Sequence, residues 1–153
     1  MSHKLLSENI LITSKQGKYR EEKIGVFDET GLVYMAIEPK FVKEEMNKLF
    51  SDLKYLLKNK LSLEEVFYYA AFLHLKFIYI HPFMDGNGRA ARLLEKWFLS
   101  SEFGINVWKI KSERHYFENR KEYYKKINLG PDYYEIDYDK CLPFLFMLSD
   151  SVN

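Results

Sequence analysis

Pro82 separates two long stretches of helical periodicity, and one continuous helix cannot run through the join. Upstream, Val66, Tyr69, Ala70, Leu73, Phe77 and Ile80 recur at three- and four-residue spacing. Ser62 with Glu65 makes a capping-box pattern, so a helix is predicted over 62–80. Proline has no N–H and pushes the residue before it towards extended backbone. The chain should therefore leave the helix at Ile80 or His81 and expose the imidazole at a helix end. Downstream, Leu93, Leu94, Trp97 and Phe98 form an apolar stripe running up to Gly104, which predicts a second helix from near Gly88 to a glycine cap. The join reads His81-Pro82-Phe83-Met84-Asp85-Gly86-Asn87-Gly88-Arg89-Ala90-Ala91-Arg92, with Gly86 and Gly88 bracketing a tight turn.

A turn that opens a helix offers backbone N–H groups without carbonyl partners at the positive end of the helix dipole. Gly86-Asn87-Gly88 is thus a candidate anion site, with phosphate the obvious ligand. Arg89 and Arg92, three apart, share one helix face and can reach neighbouring phosphates as bidentate donors. Asp85, just before the turn, is placed to hold Mg²⁺ bridging those phosphates, and His81 is the side chain suited to proton transfer near neutral pH. A lone Gly-Asn-Gly is usually only a turn and a lone His-Pro only a helix end; their joint occurrence favours a site. A Walker A loop is excluded, since no Lys-Ser or Lys-Thr follows the glycines. His74 lies seven residues before His81 on the same helical face. A metal pair is disfavoured there, because no Cys or second carboxylate stands at ligand spacing and a packed helix histidine is commoner.

Elsewhere, Val26-Phe27 and Leu32 to Ile37 flank the polar turn Asp28-Glu29-Thr30-Gly31, which predicts a hairpin. A further helix should run from Pro39 or Lys40 to about Lys58 with Val42, Met46, Leu49, Leu53 and Leu56 inward. Another should run from Ser112 towards Leu129, stopped by Gly130-Pro131. The charges of that helix, Lys121, Lys125 and Lys126 against Glu113, Glu118 and Glu122, suit a solvated face. Its Tyr123 and Tyr124 are candidates for stacking on a nucleobase, although packing is the commoner role for tyrosine. A last helix, around Tyr138 to Leu148, contains Pro143 and should kink or start late.

With 153 residues, of which 47% are hydrophobic, one compact domain over 1–153 is expected, with no length for a second. The net charge of +1 provides no field for nucleic acid. Cys141, the single cysteine, argues against an internal disulfide and suits a reducing compartment. The most apolar stretch, Val66 to Ile80, contains His74 and Lys76 and is too short to span a bilayer, so no membrane association is expected. Met1 to Ile12 lacks a signal-peptide layout, and a cytoplasmic location follows as the expectation.

The string at 81–92 resembles the complete signature of the Fic domain family, His-Pro-Phe-x-Asp-Gly-Asn-Gly-Arg-x-x-Arg, with no fixed position altered. Gly17-Lys18-Tyr19-Arg20, the segment around Tyr34 to Pro39 and the stretch Tyr116 to Tyr124 are similar to weaker family features, so the resemblance covers nearly the whole chain. It implies a mainly α fold, a compact helical bundle with a β-hairpin flap beside the active site. It also implies transfer of AMP from ATP to a Tyr, Thr or Ser hydroxyl of a target protein, with release of pyrophosphate. By resemblance His81 is the general base, Asp85 the Mg²⁺ ligand, Gly86, Asn87 and Gly88 the anion-binding turn, and Arg89 and Arg92 the phosphate ligands. Phe83 is a core anchor. The hairpin, residues 26–38, would dock an extended target segment by strand addition. Another nucleotide or CDP-linked donor, and a non-enzymatic nucleotide-binding module, are the alternative readings; the intact His81 disfavours the second.

Many family members carry an inhibitory segment, Ser or Thr, three residues, Glu, then Gly or Asn. Here Glu8-Asn9 and Glu118-Asn119 are preceded at the required position by Lys4 and Arg114. Restraint, if any, would then come from a separate antitoxin-like chain or from assembly.

Overall fold

The Ser62 capping box forms as the sequence implies: the Ser62 hydroxyl accepts from the Glu65 N–H, and the Glu65 carboxylate accepts from the Ser62 N–H. The computed structural model describes residues 2–29 and 31–152. In chain order it contains α1 (Ser2–Leu6), β1 (Gly25–Asp28), β2 (Gly31–Met35), α2 (Pro39–Leu56), α3 (Leu63–Ile80), α4 (Asn87–Phe103), a 3₁₀ segment (Ile105–Lys109), α5 (Ser112–Glu118), α6 (Arg120–Ile127), a 3₁₀ turn (Tyr138–Lys140) and α7 (Leu142–Asp150). The fold is mainly helical with one small antiparallel hairpin, and α3 is its centre, packing against α2, α4 and α7. No helix among the described residues is long and apolar enough to cross a membrane.

α2 buries Val42, Met46, Leu49, Leu53 and Leu56, the five residues its periodicity selects. α7 starts late, with Pro143 in its first turn where the missing N–H costs nothing. The helix expected from Ser112 towards Leu129 is instead two helices, broken at Asn119. There the backbone turns aside (φ −104°, ψ 34°) and the side-chain amide donates to the His115 carbonyl at 3.0 Å. Of the charged residues named on this stretch, Glu113, Glu118, Lys121, Glu122 and Lys125 are exposed and Lys126 is half-buried, while Tyr116 and Tyr123 are buried.

α4 departs from its predicted stripe. Phe98 is buried, but Trp97 is exposed and the inward set is Ala91, Glu95, Lys96, Phe98 and Leu99. Glu95 goes inward because partners await it. Lys96 does so because its Nζ reaches the Ile110 carbonyl and Glu113.

The hairpin forms between β1 and β2, with a register shift between Val26 and Phe27. β2 ends at Met35, short of the Ile37 expected. Of the predicted turn, Thr30 lies outside the described residues. The hairpin base is fastened on three sides. The Ala36 N–H donates to the Ile24 carbonyl at 3.0 Å. Met35 bonds the Pro131 carbonyl (2.8 Å) and the Tyr133 N–H (3.2 Å). The Tyr34 hydroxyl donates to the Tyr79 carbonyl at 2.7 Å. The last bond ties the hairpin to α3 two residues before His81.

Candidate active site

α3 closes with the His81 N–H donating to the Phe77 carbonyl at 3.0 Å, and His81 itself lies in the left-handed region (φ 50°, ψ 58°). The extended backbone expected before Pro82 is therefore not adopted. The carbonyls there have a fixed partner in the Arg20 guanidinium. Its Nε donates to the His81 carbonyl at 2.7 Å, its Nη2 to those of Ile80 and Ile37, and its Nη1 to that of Glu22 at 2.9 Å. The Arg20 N–H adds a bond to the Pro82 carbonyl at 2.9 Å. A cation at a helix C-terminus also complements the dipole. A non-glycine residue in this region costs on the order of 1–3 kcal/mol, which persists only where surroundings over-determine it. Arg20, 2% exposed, supplies that constraint.

The His81 imidazole is half-buried rather than exposed. Its Nδ1 lies 3.1 Å from the Ile78 carbonyl. A carbonyl only accepts, so Nδ1 carries the proton and Nε2 keeps its lone pair. Burial holds the pKa of His81 below 6.5, against the raising effect of the Ile78 bond. Arg20 lowers it further and Asp85 raises it. A neutral imidazole with a fixed tautomer is what a base requires.

After Pro82 the chain turns through Phe83 and Met84 to Asp85. The buried Asn87 side chain clamps this loop, accepting from the Phe83 N–H at 2.9 Å and donating to the Phe83 carbonyl at 2.8 Å. Asn87 thus shapes the turn through its side chain and can meet a ligand only through its backbone. Gly86 stands in the left-handed region at the helix N-cap (φ 80°). The Asp85 carboxylate accepts from the Gly86 N–H at 2.5 Å and sits 3.8 Å from Arg89. Both arginines arch back over the turn. A Cβ at Gly86 would come within 3.2 Å of Arg89 Nη2, and one at Gly88 within 3.2 Å of Arg92 Nη1. Glycine at these two positions leaves room for the guanidinium groups the sequence placed on one face.

Asp85 is exposed, and no cluster of three or more His, Cys, Asp or Glu suited to a metal exists among the described residues. A single hard carboxylate fits Mg²⁺, which takes most of its shell from phosphate oxygens and water, and does not fit a caged structural metal. His74 is a buried core histidine on Glu95 and Tyr123, not a partner of His81.

Two contributors had no role at the site read from the sequence. Arg20 entered there only within a resembling segment. His3 had no signal at all, because its contacts lie far away in the chain. The Gly17 N–H donates to its Nδ1 at 3.0 Å, which leaves Nε2–H to donate to the Asp85 carbonyl at 2.8 Å. Its ring stacks on Phe83 with centroids 3.5 Å apart and planes 7° apart. Phe83 is the core anchor expected, packed also against Tyr19 and Phe77.

The model of the Fic/DOC family matches residues 2–99. A protein adenylyltransferase Fic of Nematostella vectensis is 34% identical over 112 residues, covering 73% of this chain and 23% of that protein. A protein of the same name from Drosophila persimilis is 65% identical over 26 residues, 17% of this chain and 5% of its own length. A crystal structure of a Fic family protein from Desulfovibrio desulfuricans superposes with a TM-score of 0.73 at 27% identity, covering 99% of this chain and 42% of that one. A Fic domain containing signaling protein from Bacteroides thetaiotaomicron gives 0.66 at 25% identity, with 99% and 59% covered. The chain thus spans well under half of the curated relatives it matches.

Proposed function

Since the chain belongs to the Fic/DOC family, we propose that it transfers AMP from ATP to a Tyr, Thr or Ser hydroxyl of a target protein. The observation that carries this reading is His81. Its Nδ1–H is committed to the Ile78 carbonyl, so Nε2 is left as a base, and burial keeps the ring neutral at pH 7. The same histidine borders a turn whose amides and two arginines suit a polyphosphate.

In the proposed reaction the target hydroxyl oxygen attacks the α-phosphorus and its proton passes to His81 Nε2. The bond from the α-phosphorus to the bridging oxygen breaks and pyrophosphate leaves. The Gly86–Gly88 backbone and Arg89 hold the phosphates, and Arg92 reaches the terminal one. Positioning and charge stabilisation do most of the work, with the base contributing typically about 10²–10⁴-fold. Asp85 would hold Mg²⁺, which supplies neutralisation of charge on the phosphate oxygens when bound. The hairpin, residues 26–38, presents Phe27 and Leu32, a directly opposed pair 69% and 51% exposed, as an apolar edge for an extended target segment.

Intact-mass analysis of the protein with ATP and Mg²⁺, alone and with cell lysate, tests the proposal. An AMP-sized increment on this chain or a lysate protein, lost in His81→Ala, supports it. An increment seen only with a CDP-linked or other nucleotide donor replaces ATP as donor. Transfer retained in His81→Ala refutes the base assignment.

A further inference from the structure

α1 meets the turn through one side chain. His3 is the residue this short helix buries, 5% exposed, and its carbonyl accepts from the Ser7 N–H at 3.0 Å and the Ser7 hydroxyl at 2.7 Å. A side chain at Gly17 would crowd Lys4, whose Cβ lies 3.3 Å from where it would begin, so α1 and the chain at Gly17 are in close contact. The roles of the two ring nitrogens of His3 then follow from its partners. A backbone N–H only donates, so Nδ1 accepts from Gly17; a carbonyl only accepts, so Nε2 carries the proton shared with Asp85. Each partner alone requires the same neutral tautomer. Stacking on Phe83 does not explain the choice of residue, since a phenylalanine would stack as well but could make neither bond.

The carbonyl that His3 holds is half of a planar unit. A peptide is rigid, so fixing the Asp85 oxygen at 2.8 Å also fixes the direction of the Gly86 N–H on the other side of the same plane. That N–H donates to the Asp85 carboxylate at 2.5 Å, and the carboxylate stands 3.8 Å from Arg89. The local chain does little to hold the plane, because Gly86, at φ 80°, can take either sign of φ. The His3 bond is the one that the Asp85 oxygen makes among the described residues. Nε2 of His3 also lies 3.2 Å from where a Cβ on Gly86 would stand, so the ring backs directly onto this peptide.

We propose that His3 is a positioning residue, which holds the Asp85–Gly86 peptide and thereby sets where the Asp85 carboxylate stands to receive Mg²⁺ with the nucleotide. It touches no reacting atom and acts through Asp85. The inference rests on the reading of Asp85 as the Mg²⁺ ligand.

The test measures ATP binding by calorimetry over a range of Mg²⁺ concentrations and in EDTA, with Tm recorded alongside. His3→Phe keeps a ring for Phe83 and loses both bonds. It should raise the Mg²⁺ concentration needed for half-maximal ATP binding by about 10-fold, the lower end for an outer partner of a metal ligand. ATP binding in EDTA should weaken by no more than about 2-fold. His3→Gln, whose amide offers one acceptor and one donor, should recover most of the Mg²⁺ response. His3→Ala loses the ring too and should lower Tm further than His3→Phe without a larger Mg²⁺ requirement. Ser7→Ala strips the hydroxyl bonds to the His3 and Lys4 carbonyls of the same helix, and should lower Tm while leaving the Mg²⁺ requirement unchanged. An unmoved Mg²⁺ requirement in both His3→Phe and His3→Ala overturns the proposal, as does ATP weakened alike with Mg²⁺ and in EDTA. If Asp85→Ala leaves the Mg²⁺ requirement unmoved, the reading of Asp85 as the ligand falls and the inference falls with it; if only Asp85→Ala moves it, that reading stands and the role of His3 alone is refuted.

Discussion

Alanine placed at each of the two turn glycines should move stability in opposite directions while lowering nucleotide use at both. Gly88 is a helical residue in the first turn of α4 without a positive φ, so Gly88→Ala restricts mainly the unfolded chain. It should stabilise by about 0.4–1 kcal/mol, a Tm rise of roughly 1–4 °C for a chain of this size. Its new Cβ meets Arg92 Nη1 at 3.2 Å, so the guanidinium must shift by a few tenths of an ångström. Misplacement of 1 Å in such a site costs about 10²-fold, and a smaller shift should cost roughly 3–30-fold in kcat/KM for ATP. Gly86→Ala differs, because φ of 80° is left-handed and the Cβ meets both Arg89 Nη2 and His3 Nε2 at 3.2 Å. Backbone strain of about 1–2 kcal/mol should lower Tm by roughly 2–8 °C. Thermal unfolding and the rate of mass increment with ATP read the two quantities separately. A Gly88→Ala protein that is less stable, or that uses ATP as well as the unaltered chain, refutes the placement of Arg92 over the turn.

Asn87→Ala strips two hydrogen bonds from the buried Phe83 backbone and should cost about 2–4 kcal/mol, lowering Tm by roughly 4–16 °C. An unchanged Tm would mean that the side chain does not clamp the loop. Because His81 titrates below 6.5 in the folded chain, the acid limb of the transfer rate should inflect below 6.5. Over the same interval the unfolded state binds more protons than the folded one, so stability falls as pH drops from 6.5 towards the folded pKa. A limb centred above 6.5, with His81→Gln failing to flatten the stability slope there, contradicts the burial argument. Replacing Phe27 and Leu32 by serine should leave stability within about 0.5 kcal/mol, since both are exposed, while raising KM for a protein target. An unaltered KM removes the hairpin edge from target binding.

The elements legible in the sequence are those whose signals are local. Ser62 with Glu65, Pro82, Gly104 and Pro143 mark helix ends by chemistry acting within four residues, and the five inward residues of α2 follow from period alone. The turn at 86–88 and the arginines above it were legible for the same reason. Glu95 and Lys96 were not, because a charged residue in a helical pattern reads as outward until its distant partners are known. His3 acts on Asp85 from 82 residues away, and Arg20 acts on His81 from 61 residues away, beyond any periodicity. The left-handed His81 is the instructive miss. Proline's local preference for an extended neighbour was overridden by a helix-closing bond and a guanidinium from elsewhere in the chain.

Arg20 also divides the molecule into what can drift and what cannot. One guanidinium joins the carbonyls of Glu22, Ile37, Ile80 and His81, so the root of the hairpin and the end of α3 behave as a single rigid piece. Phe27 and Leu32, further out, are exposed and bear no such tether. In the proposed reaction, selection can therefore rewrite the outer hairpin to recruit a new target while the histidine it delivers that target to stays in register. Recognition and chemistry become separately heritable traits of one short chain.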